Sequence, residues 1–206
     1  MTAADLQPYL DHASVAVGAI TGVLAAKGKQ IDLFGVLVLA LATAFGGGTV
    51  RDLLVGDTPV VWLRGPALML NAIGTAMVTF FAARWIRMPR GLLQLADAVA
   101  LAFWVMLGVG KGLAFNLSPP VAVLLGVITG CAGGIVRDVL LDEVPFVFRR
   151  EIHLYATAAI AGGIVAVLLQ PAGVPIAASA GFLTVLGLRL AAMKWKLSLP
   201  VFEMKE

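Results

Sequence analysis

Long apolar segments separated by short polar connections run through the whole chain. A helix that crosses the hydrocarbon core of a bilayer needs about 20 mostly apolar residues, and seven segments approach or exceed this length. We expect membrane-spanning helices at Tyr9–Ala26, Ile31–Val55, Pro66–Trp85, Leu92–Phe115, Pro119–Leu141, Ile152–Leu169 and Val174–Met193. The connections are rich in turn-forming residues, as in "KGKQ" and "NLSPP". The pattern predicts an all-α, polytopic protein with seven transmembrane helices, in which residues 1–206 form a single membrane domain.

The composition supports this interpretation and excludes several classes of protein. Of the 206 residues, 60% are hydrophobic and 13% are charged, whereas about 25% of the residues in a typical soluble domain are charged. The single cysteine, Cys131, lies within an apolar segment, which excludes an intrachain disulfide and a thiolate metal cluster. The sequence has no metalloprotease histidine pair, nucleophile elbow or phosphate-binding loop. We therefore expect neither an enzyme nor a resident cofactor, and the lipid bilayer is the expected environment.

The basic residues are distributed unequally between the two ends of the predicted helices. If the N-terminus lies outside, only Arg64 belongs to a connection on the outer side. The cytoplasmic side then holds Lys27, Lys29, Arg84, Arg87, Arg90, Arg149, Arg150, Lys194, Lys196 and Lys205. Because cytoplasmic loops carry an excess of Lys and Arg, we expect a multi-pass inner-membrane protein with its N-terminus outside and its C-terminus in the cytoplasm. The same placement at helix ends argues against nucleic acid as a partner.

The sequence contains an internal repeat with an offset of 86 positions. This offset aligns Arg51-Asp52 with Arg137-Asp138 without a gap. It also aligns Gly47-Gly48 with Gly133-Gly134, Asp11 with Asp97, Pro59 with Pro145, and Arg64 with Arg150. The repeats cover about residues 9–86 and 92–170, and a seventh helix follows at about 174–193. Since each repeat has three helices, the second is inverted in the membrane relative to the first, and inverted repeats place the functional path at their interface.

Each repeat carries glycines followed by an Arg-Asp pair in its second helix, as "GGGTVRD" from Gly46 and "AGGIVRD" from Ala132. Glycine permits a kink, and irregular backbone at membrane depth is tolerated where it is buried or faces a cavity. We therefore expect helices two and five to be kinked and to line a hydrated path with Gly46, Gly47, Gly48, Gly133 and Gly134. Close helix packing through small residues is the alternative, and the two interpretations can coexist.

The Arg-Asp pairs place charges beside these glycines. Ionisable groups inside a membrane are costly and face protein or water, so we expect Arg51, Asp52, Arg137 and Asp138 along the same path. Neighbouring residues on a helix point in different directions. Each arginine can therefore pair with a carboxylate on another helix and leave its aspartate for a pore. The alternative is that each pair is a structural clamp.

Two further charged positions lie within or at the ends of predicted helices. Lys111 is late in the fourth helix, where its amine either reaches the membrane surface or acts in gating. Asp97, like Asp11 in the first repeat, lies near the start of its helix, where a carboxylate stabilises the helix dipole.

The doubled signature, "GGTVRD" at Gly47–Asp52 and "GGIVRD" at Gly133–Asp138, resembles the prokaryotic trimeric intracellular cation (TRIC) channels over nearly the whole chain. The resemblance implies a homotrimer with an ion path in each subunit, lined by helices two and five. It implies permeation by monovalent cations, with potassium favoured, and voltage sensitivity through Lys111. Animal members, which are linked to phosphoinositide lipid, carry a different, basic signature on the second helix. This sequence has the glycine form, so bound lipid is a partner that the resemblance leaves open.

Bacterial sequences with the same repeat are also described as glycine transporters, which gives a second hypothesis. In the channel, glycine carbonyls replace part of the hydration shell of an ion, and Asp52 and Asp138 favour cations. In the transporter, half-helix N-termini hold a carboxylate and the same aspartates hold an amine. We expect Gly47→Ala or Gly133→Ala to reduce permeation more than folding.

Overall fold

The computed structural model describes residues 3–85, 89, 91–149 and 154–197. Within them the chain forms seven α-helices: α1 Ala3–Ala25, α2 Leu33–Leu54, α3 Pro66–Trp85, α4 Leu92–Ala114, α5 Pro119–Leu140, α6 Tyr155–Leu168 and α7 Val174–Trp195. This confirms the predicted all-α fold. Among these helices α2, α3, α4, α5 and α7 are long and apolar enough to cross a membrane, and α6 is an apolar helix of 14 residues. Five positions used in the sequence analysis lie outside the described residues: Arg87, Arg90, Arg150, Ile152 and Lys205.

Local signals fix the ends of the second helix of each repeat. The Asp32 carboxylate accepts a hydrogen bond of 2.8 Å from the Gly35 N–H at the start of α2. This bond satisfies one of the backbone donors that a helix leaves open in its first turn. Helix α5 begins with Pro119 and Pro120. Proline suits this position because it lacks the N–H that would otherwise be unpaired there.

Helices α4 and α5 lie at the centre of the bundle. Helix α4 packs against α1, α5, α6 and α7, and α5 packs against α2, α4 and α6. One apolar cluster joins α1, α2 and α3 and includes Trp104 of α4. A second cluster joins α4, α5 and α6 and includes Val185 of α7. The two repeats are therefore joined through α4 and α5, and the seventh helix packs on the second repeat.

The repeat is visible in the backbone as well as in the sequence. Helices α2 and α5 begin 86 positions apart and also end 86 positions apart. The chain then turns in the same way in both copies. The Asp57 N–H donates to the carbonyl oxygen of Asp52 at 2.8 Å, and the Glu143 N–H donates to that of Asp138 at 2.9 Å. Asp57 and Glu143 are thus equivalent residues at opposite ends of the inverted repeat.

The connection that follows is one residue shorter in the second repeat. The 3₁₀ turns Val61–Leu63 and Phe146–Phe148 are 85 positions apart. The Nε atoms of Arg64 and Arg149 each donate to the carbonyl oxygen five residues earlier in the chain. Arg149 therefore takes the place of Arg64 in the second repeat, and Pro145 takes that of Val60 before the 3₁₀ turn. The ungapped alignments of Pro59 with Pro145 and of Arg64 with Arg150 are both wrong.

Candidate functional site

Helices α2 and α5 cross at their glycines with their backbones in direct contact. A Cβ atom added to Gly133 would lie 2.5 Å from the carbonyl oxygen of Thr43, and one added to Gly47 would overlap that of Thr129. Both helices continue without interruption through these positions. The close-packing interpretation therefore applies to Gly47 and Gly133, while a kink in either helix stays a prediction.

The other signature glycines have different neighbours. A Cβ on Gly46 would lie 3.3 Å from the Cα of Gly133, and one on Gly48 would lie 3.3 Å from the ring of Trp104. One on Gly134 would lie 3.5 Å from the hydroxyl of Tyr155. Gly46 and Gly48 therefore serve packing against α5 and α4, whereas Gly134 faces a polar group.

A small cavity lies beside the crossing, between α1, α2, α4 and α5. The space open to the centre of a water molecule is about 10 Å³, which is about the room needed for one water. Its polar and glycine lining includes Thr21, Thr43, Asp97, Gly133, Gly134, Arg137 and Tyr155. Of the predicted residues of α5, Gly133, Gly134 and Arg137 thus contribute to the cavity wall and Asp138 does not. The glycines and the Arg-Asp pair of α2 lie outside the lining.

Arg137 is fully buried in a network of carboxylates at the cavity wall. Its Nε donates to Asp138 at 2.7 Å and its Nη1 donates to Asp97 at 2.9 Å. The second oxygen of Asp138 accepts the Phe146 N–H at 2.8 Å. Arg137 Nη2 and Asp97 Oδ2 form no hydrogen bond with the described residues. A water in the cavity can accept from the first and donate to the second.

Arg51 forms the corresponding network in the first repeat. Its Nε donates to Asp52 at 2.8 Å, and the second oxygen of Asp52 accepts the Val61 N–H at 2.9 Å. Asp52 and Asp138 are both buried. Each holds its adjacent arginine with one oxygen and the following 3₁₀ turn with the other. The clamp interpretation therefore describes both pairs.

Lys111 joins the end of α4 to the connection after α2. Its Nζ bonds to Asp57 Oδ2 and lies 3.8 Å from Asp52 Oδ1. The other oxygen of Asp57 lies 2.5 Å from Nη2 of Arg64. The hydrogen bond from Lys111, followed by that from Arg64, lowers the pKa of the Asp57 carboxyl. Lys111, Asp57 and Arg64 form an ionic cluster that we call the Lys111 triad.

A matching cluster lies at the other end of the bundle. Lys29, between α1 and α2, lies 2.6 Å from Glu143 Oε1, and Arg149 Nη2 lies 2.5 Å from Glu143 Oε2. Lys29 and then Arg149 lower the pKa of the Glu143 carboxyl through their hydrogen bonds. We call this cluster the Lys29 triad. Lys29 follows α1 in the first repeat and binds Glu143, which follows α5 in the second. Lys111 lies in the last turn of α4 in the second repeat and binds Asp57, which follows α2 in the first.

The seventh helix adds a cation beside the cavity. Arg189 is fully buried, and its guanidinium carbon lies 4.8 Å from the ring centroid of Tyr155. Tyr155 also lines the cavity, together with Asp97 and Arg137. The second repeat therefore has a charged neighbour that the duplication itself does not supply.

Sequence analysis missed the partners of three charged residues. Asp97 was expected to act on the dipole of its own helix, but it binds Arg137, which is 40 positions away. Lys29 and Glu143 were assigned no contact at all. The available signal was the repeat itself, because the equivalence of Asp57 and Glu143 suggests equivalent cationic partners.

Comparison with known proteins identifies the family. The family model described as "Glycine transporter" matches residues 8–84 and 94–171, which is one match for each repeat. The inner membrane protein YadS of Escherichia coli K12, of the group UPF0126, is 45% identical over 96% of this chain and 97% of its own length. A UPF0126 membrane protein of Vibrio cholerae is 43% identical over 94% of this chain and 81% of its own length.

Solved structures give the same result. The TRIC channel orthologue of Rhodobacter sphaeroides has a TM-score of 0.87 and 36% identity, covering 93% of this chain and 99% of that one. This chain belongs to the prokaryotic TRIC family. A second prokaryotic TRIC channel, solved in 0.5 M KCl, has a TM-score of 0.86 and 29% identity, covering 93% of this chain and 98% of that one.

Proposed function

We propose that this TRIC-family protein is a monovalent cation channel, permeable to potassium, whose ion path in each subunit runs between the inverted repeats. The observation that carries the proposal is its likeness, over 93% of the chain with a TM-score of 0.87, to a relative named as a cation channel. A further relative, whose structure was studied for conductance through TRIC cation channels, has a TM-score of 0.83 and 33% identity.

The charges along the repeat interface suit a cation. Asp97 contributes a carboxylate to the cavity wall, and one of its oxygens has no hydrogen bond from the described residues. Asp57 and Glu143 lie at opposite ends of the bundle, after α2 and α5. Each of these two acids is paired with two cationic side chains, so the carboxylate that favours a cation along the path is that of Asp97 at the cavity wall.

The structure has the features of a closed conformation. The cavity has room for about one water, and a potassium ion with its hydration shell is larger than that. The backbone contacts of Gly47 with Thr129 and of Gly133 with Thr43 leave no passage between the helices at the crossing. Conduction therefore requires a rearrangement that widens the cavity beside the crossing, and bending or separation of α2 and α5 at their glycines is the route we propose.

Transport of glycine is the second candidate, and two unpaired polar atoms favour it. Arg137 Nη2 and Asp97 Oδ2, both at the cavity, offer a donor and an acceptor that suit the two ends of a zwitterion. The room for about one water is too small for an amino acid in this conformation. The channel is favoured because entry of an amino acid requires the larger rearrangement.

The assembly and orientation follow from the same proposal. We propose a homotrimer in the inner membrane with the N-terminus outside and the C-terminus in the cytoplasm. The orientation is supported by the basic residues at one end of the bundle, including Lys27, Arg84 and Lys194. The inner membrane is supported by the relative from Escherichia coli, which is named as an inner membrane protein. We propose that voltage dependence comes from Lys111, which lies in the last turn of α4.

Recording from the purified protein in a planar bilayer tests the proposal. We expect unitary currents in KCl that reverse near the potassium equilibrium potential and do not depend on added glycine. Liposomes that take up glycine saturably, together with a silent bilayer, would favour the transporter and overturn the channel. Heat-inactivated protein reconstituted at the same density provides the control for leak.

A further inference from the structure

The connection after α5 covers one wall of the cavity. Phe146 is buried, and its ring centroid lies 4.6 Å from the guanidinium carbon of Arg137 and 4.9 Å from that of Arg149. Arg137 lines the cavity, so Phe146 lies directly behind the cavity wall. The N–H of Phe146 is held by Asp138 at 2.8 Å. The segment 143–149 is therefore packed between the cavity and one face of the protein.

Exposure rises stepwise from the cavity to that face. The side chain of Arg137 is 0% exposed, that of Arg149 is 26% exposed and that of Lys29 is 37% exposed, while Phe146 is 6% exposed as a residue. These residues form a continuous series of contacts from the buried cavity to solvent, with Glu143 between Arg149 and Lys29. A path to the cavity along this series of contacts displaces the segment.

The outermost contact of the series joins the two repeats. Lys29 belongs to the connection between α1 and α2, whereas Glu143 follows α5. Their contact of 2.6 Å is the ion pair, among the residues that the structure describes, that joins the segment to the first repeat. Arg149 belongs to the segment itself, so its bond to Glu143 holds the segment in shape and moves with it.

The Lys111 triad provides the same tie at the opposite end. Lys111 ends α4 and binds Asp57, which is equivalent to Glu143. Lys111 also approaches the buried Asp52 at 3.8 Å and is 21% exposed, compared with 37% for Lys29. The tie made by Lys29 is the more exposed of the two, and exposed ion pairs are weak and easily released.

We propose that the Lys29 triad is a latch that holds segment 143–149 closed over the cavity, so that the protein has an ionic gate at each membrane face. Release of Lys29 removes the tie to the first repeat and makes withdrawal of the segment more frequent, while Asp138 still holds the Phe146 N–H. Each withdrawal connects the cavity to solvent on that face. The gating role rests on the proposed channel, but the movement of the segment does not depend on what passes through the opening.

Chemical labelling of the cavity tests the latch without measuring transport. Thr21 lines the cavity and is 1% exposed, and Thr21→Cys in a Cys131→Ala background places one thiol there. The protein is held in nanodiscs, so that a membrane-impermeant maleimide reaches both faces. We expect Lys29→Glu to raise the labelling rate about 2- to 5-fold, the size of effect expected for release of an exposed ion pair. Lys29→Arg retains the charge and should keep the original rate.

The matched control is Lys27→Glu, which makes the same charge change in the same connection. Lys27 is exposed and forms no ion pair with the described residues. Equal labelling rates in Lys29→Glu and Lys27→Glu, including equally undetectable ones, would overturn the latch. So would a rate for Lys29→Arg as high as that for Lys29→Glu. Failure of the proposed channel is a separate result, since it appears as absent unitary currents whatever the labelling rates.

Discussion

Gly47 and Gly133 occupy equivalent positions in the two inverted repeats, and each approaches the carbonyl oxygen of the threonine four residues before the other. Thr43 and Thr129 also correspond to one another, and each hydroxyl donates to the carbonyl four residues earlier in its own helix. The α2–α5 crossing is therefore a symmetric backbone contact. It explains why two glycines rather than two larger residues occupy these positions.

The contact changes what we expect from substitution of these glycines. The sequence predicted that Gly47→Ala or Gly133→Ala would affect permeation more than folding. Since the added methyl group meets a backbone oxygen, the helices must move apart, and overpacking of this kind costs about 1–3 kcal/mol. We expect both variants to lower the thermal midpoint of the protein in detergent.

The control for the glycine substitutions is Gly74→Ala, which lies within α3 with no atom within 4 Å of the added Cβ. Alanine favours a helix over glycine, so this variant should be as stable as the original or slightly more stable. Equal midpoints for Gly133→Ala and Gly74→Ala would contradict the close contact.

Removal of the charge on Asp138 should destabilise the protein. Asp138 is 1% exposed and holds both Arg137 and the Phe146 N–H, so Asp138→Asn leaves a buried arginine with a weaker set of partners. Breaking a buried ion pair from one side costs about 3–5 kcal/mol. Denaturant titration of the protein in mixed micelles should show that the free energy of unfolding falls by about 3 kcal/mol, the lower end of this range. The loss is limited because Asp97 still binds Arg137. Asp142→Asn, at an exposed position in the same connection, should show little change.

The Lys29 triad should respond to acid in a defined range. The pKa of Glu143 is lowered from its ordinary value of 4.5 by Lys29 and then Arg149. A carboxyl with a lowered pKa stabilises the folded state fully above its ordinary pKa, and the contribution is lost as the pH falls through the lowered value. The difference in thermal midpoint between the original protein and Glu143→Gln should be constant from neutral pH to about pH 5. The difference in thermal midpoint should shrink as the pH falls below 4.5, the ordinary pKa of the carboxyl. A difference that grows on acidification would contradict the assignment.

Lys111 should contribute to the voltage dependence of the current. A charge that moves across the whole membrane potential responds with about 2.3 kcal/mol per 100 mV, and Lys111 must leave Asp57 to move. We expect Lys111→Gln to flatten the plot of open probability against voltage, whereas Lys194→Gln, at the exposed end of α7, should leave its slope unchanged. An unaltered slope in Lys111→Gln would remove this lysine from gating.

The helices and their duplication were predictable because they leave regular signals in the sequence. Helix α5 was predicted at Pro119–Leu141 and observed at Pro119–Leu140, since its apolar run begins at a proline pair and ends at a polar turn. The inverted arrangement followed from the odd number of helices in each repeat.

The partners of the charges were not predictable in the same way. Periodicity places Asp97 near the start of a helix, but its contact with Arg137 depends on how α4 packs against α5. The role of Arg149 depends on a connection that is one residue shorter than its counterpart, which an ungapped alignment hides. Such contacts are decided by tertiary packing between distant segments, and the sequence pattern of one segment does not contain them.

Modification of a single thiol inside the repeat interface tests the central claim most directly. Thr43 lines the cavity from α2, and Thr43→Cys in a Cys131→Ala background should give potassium currents that a small cationic methanethiosulfonate reagent abolishes during channel opening. Val78→Cys, at a 72% exposed position on α3, should be modified without loss of current. If Thr43→Cys conducts at its full unitary amplitude after mass spectrometry shows complete modification, the ions pass elsewhere and the path between the repeats is wrong.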